Sequence, residues 1–394
     1  MKKPIDKDTL VVTAGRHPRE NFGVVNPPVY HASTITFATM EEFETRDSMP
    51  YGGPQYGRTG TPTTFAFEEA MTALHGGHKS IAYPSGLAAI SGTLMGLLQS
   101  GEHLLMVDNV YGPTRNRVCD WLLKRAGVEV TYYDPTLGAG IVDLLRPETR
   151  AIYLESPGSQ TFEMQDVPAI TQAAREADVV SVMDNTWSSG YLCQPLLLGV
   201  DIVVEAATKY VVGHADAMLG FVTVANEDLF QSLKHAANSI GFHAAPDDCY
   251  LAMRGLRTLS VRLERHQINA LKVAEWLRSR DEVVRVMYPA LADDPGHALW
   301  QRDHSGASGL FGVVLADASK ASIAAMLDGL EFFSMGASWG GFESLVIPTY
   351  PAKGRTATEW REKGPSLRFH IGLEEPDDLI GDLEAGLQRF NAAR

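Results

Sequence analysis

The chain has 394 residues, of which 45% are hydrophobic, 21% charged and 9% aromatic. A chain of this size buries roughly three quarters of its unfolded surface, and the composition is too even for disordered, collagen-like or coiled-coil classes. Thirty-four Lys and Arg against 48 acids give a formal charge of −14. That sign repels nucleic acid and anionic membrane surfaces, so any anionic ligand must be held by local donors.

Residues 1–60 read as an arm. Pro18, Pro27, Pro28, Pro50 and Pro54 are joined by glycines and polar residues, while Phe22, Tyr30, Phe37, Phe43, Tyr51 and Tyr56 suggest packing on another subunit. The opening MKKPIDKDTLVVTAGR has no apolar run behind its lysines, so no secretory signal is expected. Apolar stretches are too short for a membrane span. The expectation is a cytoplasmic protein.

From 61 onward, helices alternate with short apolar strands. Thr61-Pro62 opens a helix to about Leu74, and Ser85-Gly86 opens a second, LAAISGTLMGLLQ. Nearly continuous apolar strands are expected at 103–108, 151–155, 179–184, 202–206 and 220–225, with helices at 114–126 and 166–177. Strands of that kind are buried on both faces, which implies a mostly parallel sheet covered by helices. A long amphipathic segment at about 248–280 follows, then an α/β portion with strands at 283–287, 310–316, 344–347 and 367–371. The expected division is an arm over 1–60, a ligand-binding domain over 61–255 and a C-terminal domain over 256–394. Cys119, Cys193 and Cys249 are far apart and odd in number, which excludes a disulfide scaffold or thiolate zinc site; no metal is expected.

Chemistry is concentrated at strand ends. Lys209, in EAATKYVVGHADAMLG, follows the strand at 202–206. An amine emerging from buried structure is poorly hydrated and becomes available as nucleophile or base, although a lone lysine at a strand end is more often a surface residue. Asp184 ends the strand VVSVMD, and the carboxyl ends of parallel strands line ligand crevices; alone it reads equally as a turn or cap residue. Together they suit pyridoxal 5′-phosphate, whose aldehyde links to a lysine and whose ring nitrogen keeps a proton against an acid. Tyr83-Pro84-Ser85-Gly86-Leu87 before a helix makes an anion site from backbone N–H groups. Neither dinucleotide nor P-loop glycine fingerprints occur.

Several ordered motifs resemble the cysteine/methionine-metabolism family of pyridoxal-phosphate enzymes over nearly the whole chain. They are Tyr56-Gly57-Arg58, Ser85-Gly86-Leu87-Ala88-Ala89, Asp108-x-x-Tyr111-Gly112, Asp184-Asn185-Thr186, Thr208-Lys209-Tyr210 with Gly213-His214-x-Asp216, Gly340-Gly341-x-Glu343-Ser344, and Arg368-x-x-x-Gly372-Leu373-Glu374. The resemblance implies an aspartate-aminotransferase-like fold of type I. It implies that Lys209 carries the cofactor and later moves the α-proton, that Asp184 pairs with the ring nitrogen and that Tyr111 stacks on the ring. Gly86, Leu87 and Thr208 would hold the phosphate, joined by Tyr56 and Arg58 of a neighbouring subunit. Arg368 would bind the substrate α-carboxylate; a salt bridge to a protein acid is its other reading. Asp216, Glu343 and His214 are expected to hold local structure. A homodimer would be the catalytic unit, paired into a homotetramer.

Three features resemble the family's bacterial cystathionine β-lyases. Trp339 stands where γ-acting members commonly have Leu, Glu155-Ser156-Pro157-Gly158-Ser159 replaces an Asn-Pro version, and Ala206 stands where many have Ser. The implied reaction is β-elimination of L-cystathionine to homocysteine, pyruvate and ammonia, with Trp339 walling the substrate and the backbone near Ser338 helping to seat its carboxylate. Ala337 stands where some β-lyases have an aromatic residue, which would widen substrate choice towards cystine, other cysteine S-conjugates or alanine racemisation. A cystathionine or methionine γ-lyase, an amino-acid racemase and a non-catalytic regulatory protein are the alternatives.

Overall fold

A computed structural model describes residues 5–46 and 53–394; Pro50 and Tyr51 of the arm lie outside them. Two sheets organise the chain. The larger contains β1 (Lys79–Tyr83), β2 (His103–Val107), β3 (Glu129–Tyr133), β4 (Thr149–Glu155), β5 (Val180–Asp184), β6 (Ile202–Glu205) and β7 (Gly220–Val224), in the order β1-β7-β6-β5-β4-β2-β3. Strands β2 to β6 are mutually parallel and β7 runs against its neighbours, so the fold of type I implied by the sequence is present.

The five expected strands are those of the sheet interior, where apolar side chains are buried on both faces. The sequence reading missed β1 and β3, which are the two edges. An edge tolerates polar residues, and KSIAY and EVTYY carry enough of them to hide the strand pattern.

Helices α1 (Lys7–Thr13), α2 (Met40–Thr45), α3 (Pro62–His75), α4 (Gly86–Leu97), α5 (Val167–Glu176) and α6 (Glu227–Ile240) are followed by α7 (Pro246–Leu256) and α8 (Leu259–Arg278). The expected helix at 114–126 is π-helical over Thr114–Leu123. The long segment at 248–280 is two helices, not one. At the break, the Gly255 carbonyl accepts from the Thr258 hydroxyl (3.2 Å) and the Arg262 guanidinium (2.8 Å), so side chains terminate α7 where a further turn would have continued it.

The smaller sheet orders β8 (Val283–Met287), β9 (Leu310–Leu315), β10 (Leu345–Thr349) and β11 (Ser366–His370) as β10-β11-β9-β8, all antiparallel. One buried cluster joins Phe67, Tyr210, Val211 and Phe221 to Phe311, Phe369 and Ile371. Close packing does not slide continuously, so this shared core sets the smaller sheet in a definite position against the segment that carries Lys209.

The arm divides in two. Asp6 caps α1, Val11 is buried, and Arg257 donates to the Val11 carbonyl (2.8 Å). Its first turns therefore pack on their own chain. Beyond it, Phe22, Val24, Val25, Tyr30 and Phe43 are exposed.

Candidate active site

The carboxyl edge of the larger sheet gathers acids. Glu155 ends β4 and Asp184 ends β5, directly in register. Asp184 Oδ1 accepts from the Thr186 amide (3.0 Å) and hydroxyl (2.5 Å), so the turn role open to it in the sequence is real. Burial raises its carboxyl to about 6; the Thr186 bonds and Lys209 oppose that shift, while Glu205 adds to it. Burial, with Asp184 next to it, holds Glu155 well above the usual carboxylate range.

Glu155 also accepts the Tyr111 amide (2.7 Å). This bond fixes the backbone of a tyrosine that is exposed rather than core. Burial of its hydroxyl, with Asp184 and Glu155 nearby, raises the phenol above its ordinary value.

Lys209 lies in the turn after β6, held by its amide on the Ala206 carbonyl (3.1 Å) and by the Gly213 amide on its own carbonyl (2.7 Å). Its Nζ donates to Ser338 Oγ at 2.6 Å and lies 5.3 Å from the centre of the Trp339 ring. Desolvation, then the neighbouring Arg368, lowers the amine to about 8, with Asp184 acting the other way. A larger fraction of uncharged amine is therefore present near neutrality than for an ordinary lysine.

Arg368 sits on β11 and donates to the Ser338 carbonyl (3.1 Å). Among the described residues no carboxylate lies within ion-pair distance of it, so the protein salt bridge considered from sequence does not form. Burial lowers it to about 10, with Tyr111 and Tyr210 acting the other way. A half-buried guanidinium without an acid is an incomplete anion site.

The start of α4 makes a second one. Ser85 Oγ takes the Ala88 amide (3.1 Å), leaving those of Gly86 and Leu87 outside the helix's own bonding. A Cβ on Gly86 would stand 2.5 Å from Ala206 Cβ, so this terminus is pressed against the strand end that precedes Lys209. The Thr208 hydroxyl donates to the Leu219 carbonyl (3.1 Å) and accepts the Leu219 amide (2.9 Å), which ties the loop down.

Tyr56 and Arg58 are not brought to this cluster. Arg58 donates to the Asn238 carbonyl on α6 (2.9 Å), and Tyr56 is exposed. Neither bonds Lys209, Asp184, Tyr111 or Arg368 of the same chain. His214 bonds the nearby Val212 carbonyl (2.7 Å), a local role as expected. The reading from sequence missed the Ser338 hydroxyl as partner of Lys209 and Glu155 as holder of Tyr111. It singles out Ser338 only for its backbone, and Glu155 only as a subgroup marker.

The residues fit pyridoxal phosphate: a poorly solvated amine, an acid for a ring nitrogen, an aromatic side chain near that acid and helix-end amides for the phosphate. The family model described as Cys/Met metabolism PLP-dependent enzyme matches residues 8–388. Cystathionine β-lyase MetC of Escherichia coli is 42% identical, covering 97% of this chain and 98% of its own. An L-alanine/L-glutamate racemase of Wolbachia pipientis is 38% identical, covering 98% and 97%. Among solved structures, cystathionine γ-synthase of Xanthomonas oryzae in complex with cystathionine superposes with a TM-score of 0.90 at 32% identity, covering both chains completely.

Proposed function

Because the chain belongs to the Cys/Met-metabolism family of pyridoxal-phosphate-dependent enzymes, we propose that it is a carbon–sulfur lyase that β-eliminates L-cystathionine. The observation that carries this reading is Arg368, half-buried and without an acid among the described residues, beside the lowered amine of Lys209. That pairing suits a substrate bringing a carboxylate and an acidic Cα–H on one carbon.

Arg368 binds the α-carboxylate and so orients the substrate. Bound pyridoxal phosphate supplies an electron sink for negative charge developing at Cα. Asp184 holds the proton on its ring nitrogen. Tyr111, fixed by Glu155, covers the ring, and Trp339 walls the substrate side. Lys209 takes the proton from Cα; the Cβ–S bond breaks, and homocysteine leaves with a proton on sulfur. Water hydrolyses the remaining three-carbon fragment to pyruvate and ammonia. The Gly86 and Leu87 amides would hold the phosphate, with Thr208 joining them if its hydroxyl turns from Leu219. Tyr56 and Arg58 of a second copy would reach the same phosphate. The solvent-exposed apolar stretch of the arm supports a dimeric catalytic unit, itself paired into a tetramer. The domain division at 60 and 255 and a cytoplasmic location belong to the same proposal.

Incubation with L-cystathionine should release pyruvate with homocysteine; cysteine with 2-oxobutyrate would overturn the reading in favour of a γ-lyase. The racemase at 38% identity and the small, exposed Ala337 favour one second reading, amino-acid racemisation. It predicts that L-alanine loses optical rotation with no keto acid formed.

A further inference from the structure

Strand β11 presents Arg368 and His370 two residues apart, hence to the same face, and both reach the segment Ser338–Gly341. Arg368 donates to the Ser338 carbonyl (3.1 Å), and the Gly340 amide donates to Nε2 of His370 (3.1 Å). The segment tied at these two points is the one that meets the lysine. Ser338 takes Nζ at its near end. Gly340, at φ +84°, lies so close that a Cβ there would come within 3.0 Å of the Lys209 Cα, Cβ and carbonyl carbon.

The protonation of His370 follows from its neighbours. Nε2 is 3.1 Å from both the Gly340 nitrogen and the Gly341 oxygen, and one ring nitrogen cannot accept from the first while donating to the second. Accepting from Gly340 at Nε2 places the ring proton on Nδ1. Among the described residues Nδ1 has no hydrogen-bond partner, and neither has Nε2 of His266, whose Nδ1 donates to the Ile371 carbonyl (2.7 Å). The two rings are 5.1 Å apart, one with a donor and one with an acceptor to spare. The ionisable groups facing His370 are His266, Arg368, Lys209 and Tyr210. Burial and the three basic groups keep the imidazole neutral.

We propose that His370 is a positioning residue for Lys209: as a neutral imidazole protonated on Nδ1, it accepts the Gly340 amide and so holds Ser338 against the lysine amine. The interaction takes no part in binding the α-carboxylate, which Arg368 provides. Its loss should slow proton transfer at Cα while leaving substrate binding nearly intact. The inference rests on Lys209 being the amine that carries the cofactor.

The test uses the loaded enzyme with His370→Leu, His370→Gln and Gly340→Ala. In His370→Leu, kcat on L-cystathionine should fall roughly 100-fold, the cost of a misplacement on the order of 1 Å, with KM little changed. The effect of α-deuterated substrate on kcat should rise. The visible circular-dichroism band of bound pyridoxal phosphate should weaken at equal absorbance, since its anchor is less ordered. His370→Gln offers an amide oxygen to Gly340 and should recover most of all three. Gly340→Ala, which pushes on Lys209 directly, should move them with His370 intact.

The proposal is overturned if His370→Leu only lowers thermal stability while the dichroism and isotope effect stay as in the wild type, or if His370→Gln behaves like His370→Leu. Should His370→Leu not fold, a folded His370→Gln with a weakened dichroism band and a raised isotope effect overturns it equally. Wild-type protein that develops no visible band with pyridoxal phosphate would instead refute the role of Lys209 itself.

Discussion

The two sheets contribute to the site in different ways. The larger sheet supplies Glu155 and Asp184 from strand ends, Tyr111 soon after β2 and Lys209 soon after β6. The smaller sheet supplies Arg368 and His370 from within a strand, and through them the Ser338–Gly341 segment. Groups at strand ends stand where charge can be desolvated selectively, and their acid–base behaviour is shifted accordingly. Groups inside an antiparallel strand have their backbone fixed by partners on both sides, which suits orientation. The comparison predicts that the larger sheet governs the chemical step and the smaller sheet governs placement.

The sharpest test is Lys209→Ala. Turnover of L-cystathionine should fall at least about 10⁴-fold, as for loss of a catalytic nucleophile or base, and the lysine-dependent visible band should vanish. Retained activity would break the comparison at its centre. Arg368→Leu should lower kcat/KM roughly 100- to 1000-fold, consistent with losing a buried charge-assisted contact. That loss should appear chiefly in KM by steady-state kinetics, in contrast to substitutions on the larger sheet.

Asp184→Asn should show function and stability diverging. Activity should drop on the order of 100- to 1000-fold, because an amide cannot hold the positive ring nitrogen electrostatically. The cofactor-free protein should nevertheless be more stable at neutral pH. The carboxyl is about 6 in the folded protein against the ordinary 3.8, so the folded state retains its proton longer and stability falls as pH rises through that interval. Asparagine keeps the acceptor for Thr186 without the buried charge. Urea unfolding of both cofactor-free proteins at pH 7.5 checks the sign, with a gain of roughly 1–3 kcal/mol expected for the variant from a shift of this size.

A smaller effect concerns Lys209 before the cofactor is bound. The rate at which cofactor-free protein gains the visible band on adding pyridoxal phosphate should rise with pH and level off above about 8, where an ordinary lysine would still be gaining. The smaller sheet and its surroundings offer the complementary measurement. Burial lowers His266 and His304 to about 4. The unfolded chain therefore binds more protons between the ordinary value of 6.5 and about 4, so their contribution to stability is present above pH 6.5 and is lost progressively on acidification. Measured in Asp184→Asn, which lacks a carboxyl that shifts the opposite way, urea midpoints should fall between pH 7 and pH 5.

Much of this site was legible before any fold was known, and the legible part follows the same division. Lys209 and Asp184 sit directly after apolar runs whose burial in a parallel sheet is written in their composition, and Ser85-Gly86 announces a helix start by capping chemistry. Arg368 is conspicuous as a charge on the apolar strand LRFHIG. His370 shares that strand and carries no such signal, because a buried histidine is ordinarily read as core. Nothing local shows that it meets an amide thirty residues earlier in the chain.

The sequence by itself determined the alternation of strand and helix, the interior strands, the place of Lys209 directly after one of them and the family. Those depend on local periodicity, side-chain type and short spacing. Only the tertiary structure decided that Arg368 has no acid partner among the described residues, that Thr208 spends its hydroxyl on Leu219, that Arg58 stays away from its own chain's lysine, and that Ser338 and Gly340 close on Lys209. Each of these depends on which side chains a shared core brings within a few ångströms across long stretches of sequence. Burial and hydrogen bonding at that range are properties of the packed chain and of no segment within it.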